Sequence, residues 1–197
     1  MTGRNPTAEA IEMVRREVAE TIAVKSRWSD ELCAGIATLA ARAATAIREG
    51  GTIVLFGNGG SAADAQHIAA ELMGRYLRER GPLKALALHT DTSAVTAIGN
   101  DYGYEHVFER QVQAWVHEGD VAIGISTSGN SKNVLLALQK ARELGAFTAA
   151  LTGEGGGKCA GVCDVLLAVP SKATPRIQES HITIGHIFCA LLEQSLA

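Results

Sequence analysis

TIVLFGNGGSAADAQHIAAEL, residues 52–72, decides the fold of this chain. Its first five residues carry no apolar/polar alternation, so a strand formed there is expected to be buried on both faces, as in a parallel sheet. Gly57-Asn58-Gly59-Gly60-Ser61 follows with turn chemistry, and Ile68 and Leu72 then recur at helical spacing. Strand, glycine-rich loop and helix form the building unit of an α/β domain. Short apolar runs return at KALAL (84–88), VAIGI (121–125), FTAAL (147–151) and DVLLAV (164–169), each separated by helix-period sequence. Upstream, Ile11, Val14, Val18 and Ile22 mark one helix. A second starts at Ser29-Asp30, carries Leu32, Ile36, Leu39, Ala43 and Ile47, and stops at Gly50-Gly51. A last helix runs from about Thr174 to Leu196 through Ile177, Ile184, Ile187, Phe188 and Leu191. The expectation is one three-layer α/β domain over residues 1–197, with a helical segment at 1–50 packing on the core or on a neighbouring subunit.

Composition narrows the function classes. The 197 residues are 47% hydrophobic and 20% charged, a globular balance with a net charge of −3. No run of basic residues offers a nucleic-acid surface, so any phosphate is expected to be met locally. The first twenty residues lack the apolar core of a signal peptide, and no apolar stretch approaches the ~20 residues of a membrane span. Cys33 and Cys189 lie in apolar helical patterns and are expected to be buried. Cys159 and Cys163 have no second Cys or His pair to complete a zinc finger. Reduced thiols and a cytoplasmic setting are expected.

Two loops suit phosphate. In a parallel sheet, ligands sit outside the carboxyl ends of the strands. Gly57–Ser61 follows the first strand and opens a helix, so its glycines admit a close anion and the helix start supplies N–H donors. Ser126-Thr127-Ser128-Gly129-Asn130-Ser131 follows VAIGI in the same way and adds four hydroxyls. Each loop alone also reads as an ordinary turn and N-cap. Gly57, Gly59 and Ala62 fit a dinucleotide fingerprint too. That reading wants an acidic residue ~20 positions further on, and the chain offers only Asp91. Two anion loops favour a monophosphate with hydroxyls.

The helix after the first loop carries His67 and Glu71 on one face, either a metal half-site, an acid–base pair or a surface ion pair. The last helix adds Gln178, Glu179, His181 and His186. Gln178 and His186 are ~12 Å apart along an ideal helix axis. One metal ion does not readily reach both, so either Gln178 precedes the helix or the two serve different sites or subunits. His181 reads as a supporting residue. Asn100-Asp101, flanked by Gly99 and Gly103, reads as a loop whose Asp101 could meet sugar hydroxyls. Arg75, one turn beyond Glu71, is a candidate phosphate partner.

GNGGSAADAQHIAAEL, AIGNDYG, ISTSGNS, LTGEGGG and RIQESHITIGH together resemble the phosphoheptose isomerases of the sugar isomerase (SIS) domain superfamily, from about residue 30 to the C-terminus. The resemblance implies a five-stranded parallel sheet flanked by helices and a homotetramer with active sites at subunit interfaces. It implies substrate contacts from Asn58, Gly59 and Gly60 and from Asn100 and Asp101; Ser61, Arg75 and Gln178 are further candidate substrate contacts. Ser126, Thr127, Ser128 and Ser131 match the phosphate loop. His67, Glu71, Gln178 and His186 match zinc ligands, one ion per subunit, and Glu71 and His186 match the proton-transfer pair. Pro175 departs from some relatives, which carry a polar or acidic residue there.

The implied reaction converts D-sedoheptulose 7-phosphate to D-glycero-D-manno-heptose 7-phosphate through an enediol. It needs a phosphate anchor, a base between C1 and C2, and an acid for the oxygen protons; one Glu and one His suffice in triosephosphate isomerase. A zinc-bound carboxylate is a weakened base, so Glu71 is expected to use at most one oxygen on the metal or to leave it, and a metal held partly by Gln178 is expected to exchange. The rival readings are a binding module, resembling a replication-initiator-binding regulator that lacks the catalytic Glu and last His, and a phosphosugar sensor without turnover. Glu71 and His186 are both present here.

Overall fold

The computed structural model describes residues 7–197, so the first six residues of the expected helical segment lie outside the described residues. Helix α1 (Ala8–Lys25) starts where the Thr7 side chain accepts from Ala10 N at 3.2 Å. Helix α2 (Asp30–Arg48) starts in the same way at the expected cap, Ser29. Then follow β1 (Ile53–Gly57), α3 (Gly60–Met73), β2 (Ala85–Ala87), α4 (Thr92–Tyr102), α5 (Glu109–Trp115), β3 (Val121–Ser126), α6 (Lys132–Glu143), β4 (Phe147–Thr152), β5 (Val165–Ala168) and α7 (Thr174–Leu196).

The five strands form one parallel sheet in the order β2-β1-β3-β4-β5. Every residue of β1 and β3 is buried, as their unbroken apolar runs require. Alternate residues feed two cores. Ile53, Leu55, Ile123, Ile125 and Leu151 face α2, α3 and α7, together with Ile36, Leu39, Ile68, Leu72, Ile184 and Phe188. Val54, Phe56, Ala122 and Ala150 face α5 and α6, with Val112, Val134 and Leu138. The three-layer arrangement and its five-stranded sheet are as expected.

Two local readings are corrected. Asn100 and Asp101 belong to α4 and not to a loop. Asp91 caps that helix by accepting from Ala94 N at 3.0 Å, Val95 and Ile98 pack on the second core, and Gly103, at φ +91°, ends it. These forces override the glycine signal at Gly99. Cys33 is exposed, whereas Cys189 is buried. The buried stripe of α2 runs through Leu32, Ile36, Leu39 and Ala43, and residue 33 falls off it. On α1, Ile11, Val14, Val18 and Ile22 are all exposed; their apolar stripe has no partner among the described residues.

Candidate active site

From the carboxyl ends of β1 and β3, adjacent in the sheet, the chain departs to opposite sides: β1 connects outward to β2, β3 to β4. This switch point opens a crevice, and both serine- and glycine-rich loops border it. The loops are tied by a reciprocal amide pair: Asn58 Nδ2 donates to Asn133 Oδ1 at 2.9 Å, and Asn133 Nδ2 to Asn58 Oδ1 at 2.8 Å. Tyr104 Oη also donates to Asn58 Oδ1, at 3.1 Å. Among the described residues no side chain caps the start of α3 or of α6. Ser131 occupies the N-cap position of α6, yet its Oγ lies 2.9 Å from Oγ of the buried Ser126. The ordinary capping role is therefore unfilled, but part of each helix start is already engaged. Ser61 N donates to Asn58 O at 3.0 Å and Ala62 N to Gly59 O at 3.1 Å, and Val134 N donates to Asn133 Oδ1 at 3.0 Å. Among the described residues, Gly60 N at α3 and Lys132 N and Asn133 N at α6 are left for an anion.

A third loop braces the second. Gly153 N donates to Thr127 O at 2.9 Å and Cys159 N to Gly129 O at 3.0 Å. Asn130 donates through Nδ2 to Ser128 O at 2.8 Å and accepts from Lys158 N at 3.1 Å. Gly129 sits at φ +64°, and the Gly156 carbonyl fills the space where a side chain would begin, so only glycine fits this crossing. A cavity of about 310 Å³, lined by Thr127, Ser128, Glu154, Ser171, Lys172 and Thr174, opens beside the loop.

Further along α3, His67 and Glu71 face α7. The two helices approach closely at Gly185, where a Cβ would come within 2.6 Å of Ile68 Cδ1. This brings the next residue, His186, to His67: their Nε2 atoms are 3.1 Å apart, and His67 Nε2 is 3.4 Å from Glu71 Oε1. One ligand atom from each of the three lies within 4.8 Å of the others. Four ligands ~2.1 Å from a tetrahedral ion sit ~3.4 Å from one another; the His67–His186 and His67–Glu71 pairs, at 3.1 and 3.4 Å, are close to that spacing. Side chains of His67 and Glu71 are 49% and 25% exposed, open enough for a ligand to enter. Tyr76 stacks on His186, centroids 5.5 Å apart at 15°.

The other expected residues are dispersed. Ser61 is buried, with Cβ against the place a Gly57 Cβ would occupy. Arg75 is exposed and pairs with Glu79 at 3.6 Å. Asn100 Nδ2 bonds Asp101 Oδ1 at 2.8 Å, both exposed. Gln178 lies within α7, which removes the alternative that it precedes the helix. Its amide occupies the space beside Gly60, seven residues and so ~10 Å before His67 along α3. In one chain, then, Gln178 faces the glycine loop while His67, Glu71 and His186 cluster apart. His181 is wholly buried and bonds Thr152 O through Nε2 at 3.1 Å, a supporting role.

Sequence reading missed Asn133, Tyr104 and Tyr76, which hold Asn58 and His186 in place. Their only signal is proximity in the chain to the motifs they serve. It also missed Asp64, one turn before His67: burial pushes its carboxyl up to about 6, against an opposing pull from His67, and its Oδ2 has no partner among the described residues.

The family model described as "SIS domain" matches residues 17–153. The phosphoheptose isomerase of Aquifex aeolicus is 54% identical over 184 residues, covering 93% of this chain and 96% of that one. The phosphoheptose isomerase of Rhodospirillum rubrum is 56% identical over 165 residues, covering 83% and 88%. The structure of phosphoheptose isomerase from Neisseria gonorrhoeae superposes with a TM-score of 0.87 at 47% identity, covering 93% of this chain and 98% of that one.

Proposed function

Because the chain belongs to the phosphoheptose isomerases of the SIS domain family, we propose that it interconverts D-sedoheptulose 7-phosphate and D-glycero-D-manno-heptose 7-phosphate. The observation that carries this reading is a His–Glu–His cluster on the helix, α3, whose uncapped start lies beside the uncapped start of α6 at the adjacent strand ends. The ester phosphate docks against Ser126, Thr127, Ser128 and Ser131 and the N–H groups of both helix starts. Asn58, Gly59 and Gly60 contact the sugar, as do Asn100 and Asp101, while Arg75, exposed beside Glu79, is left as a phosphate partner.

With the phosphate held, the open-chain ketose presents C1 and C2 to Glu71. The carboxylate takes a proton from C1, the electron pair forms the C1–C2 double bond, and the C2 oxygen gains a proton. Returning the proton from Glu71 to C2 while O1 loses its own leaves an aldehyde at C1. His186 carries the proton between O1 and O2, so protons and electrons balance without a redox partner.

His67, Glu71 and His186 would hold zinc, one ion per subunit, with Gln178 of a second copy completing the set. When bound, zinc supplies a Lewis acid that orients the hydroxyls and polarises the carbonyl. A homotetramer with shared sites accounts for both the separation of Gln178 from the cluster and the uncovered apolar stripe of α1. The setting we propose is the cytoplasm: the four cysteines are free, and among the described residues no helix is long and apolar enough to cross a membrane. The test is direct. Purified, zinc-loaded protein is mixed with sedoheptulose 7-phosphate and aldose formation is followed; no turnover overturns the reading.

A further inference from the structure

Glu193, near the end of α7, is 3% exposed. Its Oε1 accepts from Tyr76 N at 2.8 Å and Arg80 Nε at 3.1 Å, and its Oε2 from Leu77 N and Arg78 N, each at 2.9 Å. Arg80 spends its remaining donors on carbonyls at and beyond the end of α3. Nη1 reaches Leu72 O at 2.8 Å, Gly81 O at 3.0 Å and Gly74 O at 3.3 Å, and Nη2 reaches the carbonyl of Glu71 at 3.0 Å. Burial pushes the Glu193 carboxyl up, but the N–H donors of residues 76–78 and the Arg80 charge outweigh it and hold it below the usual range.

A buried ion pair is a poor source of net stability, because desolvation offsets the attraction. Its geometric consequence is more telling. Glu193 and His186 are seven residues apart, two turns along one face of α7. The carboxylate pins the backbone of 76–78 over its own turn, and the pinned segment lays the Tyr76 ring on the His186 ring. His186 also meets His67 edge-on, centroids 5.3 Å apart at 69°. One clamp thus holds the carbonyl of Glu71 at one end and the stacking partner of His186 at the other.

We propose that Glu193 and Arg80 are positioning residues that act through Tyr76 to set the ring plane of His186 against Glu71. The proposal rests on the isomerase reading for its kinetic consequence, though not for its geometric one. Neither Glu193 nor Arg80 is asked to touch substrate. A catalytic group displaced by about 1 Å can lose up to ~10²-fold in rate, so turnover should suffer while phosphate binding does not.

The test uses the full chain with Glu193→Gln, Tyr76→Leu and Tyr76→Phe. It reads kcat and KM for sedoheptulose 7-phosphate, Tm, and the His186 ring proton by NMR with labelled histidine, assigned through His186→Asn. Tyr76→Leu and Glu193→Gln should lower kcat at least about tenfold and leave KM nearly unchanged. Both should move the His186 resonance downfield as the ring current of Tyr76 is lost. Tyr76→Phe, which keeps the ring, should restore both rate and resonance. Should Glu193→Gln fail to fold, the Leu and Phe pair at Tyr76 decides the matter alone. The proposal is overturned if Tyr76→Leu or a folded Glu193→Gln retains wild-type kcat, if the loss appears in KM instead, or if the His186 resonance stays in place. If the wild type itself shows no turnover, the isomerase reading fails, and the resonance still judges the clamp.

Discussion

A carboxylate that ferries a proton between neighbouring carbons has to change charge during the reaction, so an amide of the same shape cannot replace it. Glu71→Gln and His186→Asn should each lower kcat by at least ~10²-fold, the lower end for a general acid or base. KM should stay close to wild type, because the phosphate is held elsewhere; steady-state kinetics separates the two. At the other end of the substrate, Ser126→Ala with Ser128→Ala removes hydroxyls from the loop that α6 leaves uncapped. There KM should rise, with some loss of kcat since remote binding energy positions the reacting carbons. The decisive comparison is with dephosphorylated sedoheptulose, whose conversion should be indifferent to the serine changes. Ser131 shows how residue identity and role diverge: its position is that of an N-cap, but its hydroxyl meets Ser126.

Among the elements, α3 and α7 carry the proposed proton-transfer residues, and their contact depends on what each helix can bury. Gly185 removes the side chain that would hold them apart. One turn earlier on α7, His181 is buried against Thr152 O. Desolvation pushes its imidazole down to about 4, against a smaller opposing effect of the hydrogen bond to Thr152. Unfolded histidine titrates near ~6.5, so between those values the unfolded chain binds the extra proton and the native chain does not. Stability should fall as pH drops below ~6.5 and this contribution should level off below about 4, amounting to roughly 3 kcal/mol. His181→Asn should lack this component. Chemical denaturation at several pH values checks it, and the expected outcome is that the stability of wild type relative to the variant declines steadily towards acid.

At the scale of the whole molecule, the proposed shared site and the exposed apolar stripe of α1 both call for further copies of the chain. Val14 and Val18 are 63% and 54% exposed, and glutamate at such positions in a monomer would change stability by no more than ~0.5 kcal/mol. If the α1 stripe is covered by other copies, Val14→Glu with Val18→Glu buries unpaired charge at the contact. Light scattering should then show a smaller species than the wild type, for which the proposal expects a tetramer. Metal analysis should find zinc near one ion per chain in the wild type. Chelation should lower turnover and zinc should restore it; full activity in rigorously metal-free protein would remove the metal from the mechanism.

Burial on both faces is written directly into β1 and β3, because a strand without a solvent face carries no polar alternation; hence the sheet, its parallel sense and the two loops at its carboxyl ends were legible. So were Ser29 as a cap and the extent of α7, since caps and helical periodicity are local. The helical state of Asn100 and Asp101 was not, because the packing of Val95 and Ile98 that supports α4 comes from another part of the chain. Nor could spacing reveal that Glu193 is buried beneath residues 76–80 or that Asn133 grips Asn58. These contacts join positions separated by 113 and 75 residues, and the charge or amide involved looks in sequence like any solvated group. Sequence determined which residue types could hold phosphate and move protons. Only the tertiary structure decided which of them meet, because the meeting depends on how closely α3 and α7 pack and on which polar groups that packing takes out of water.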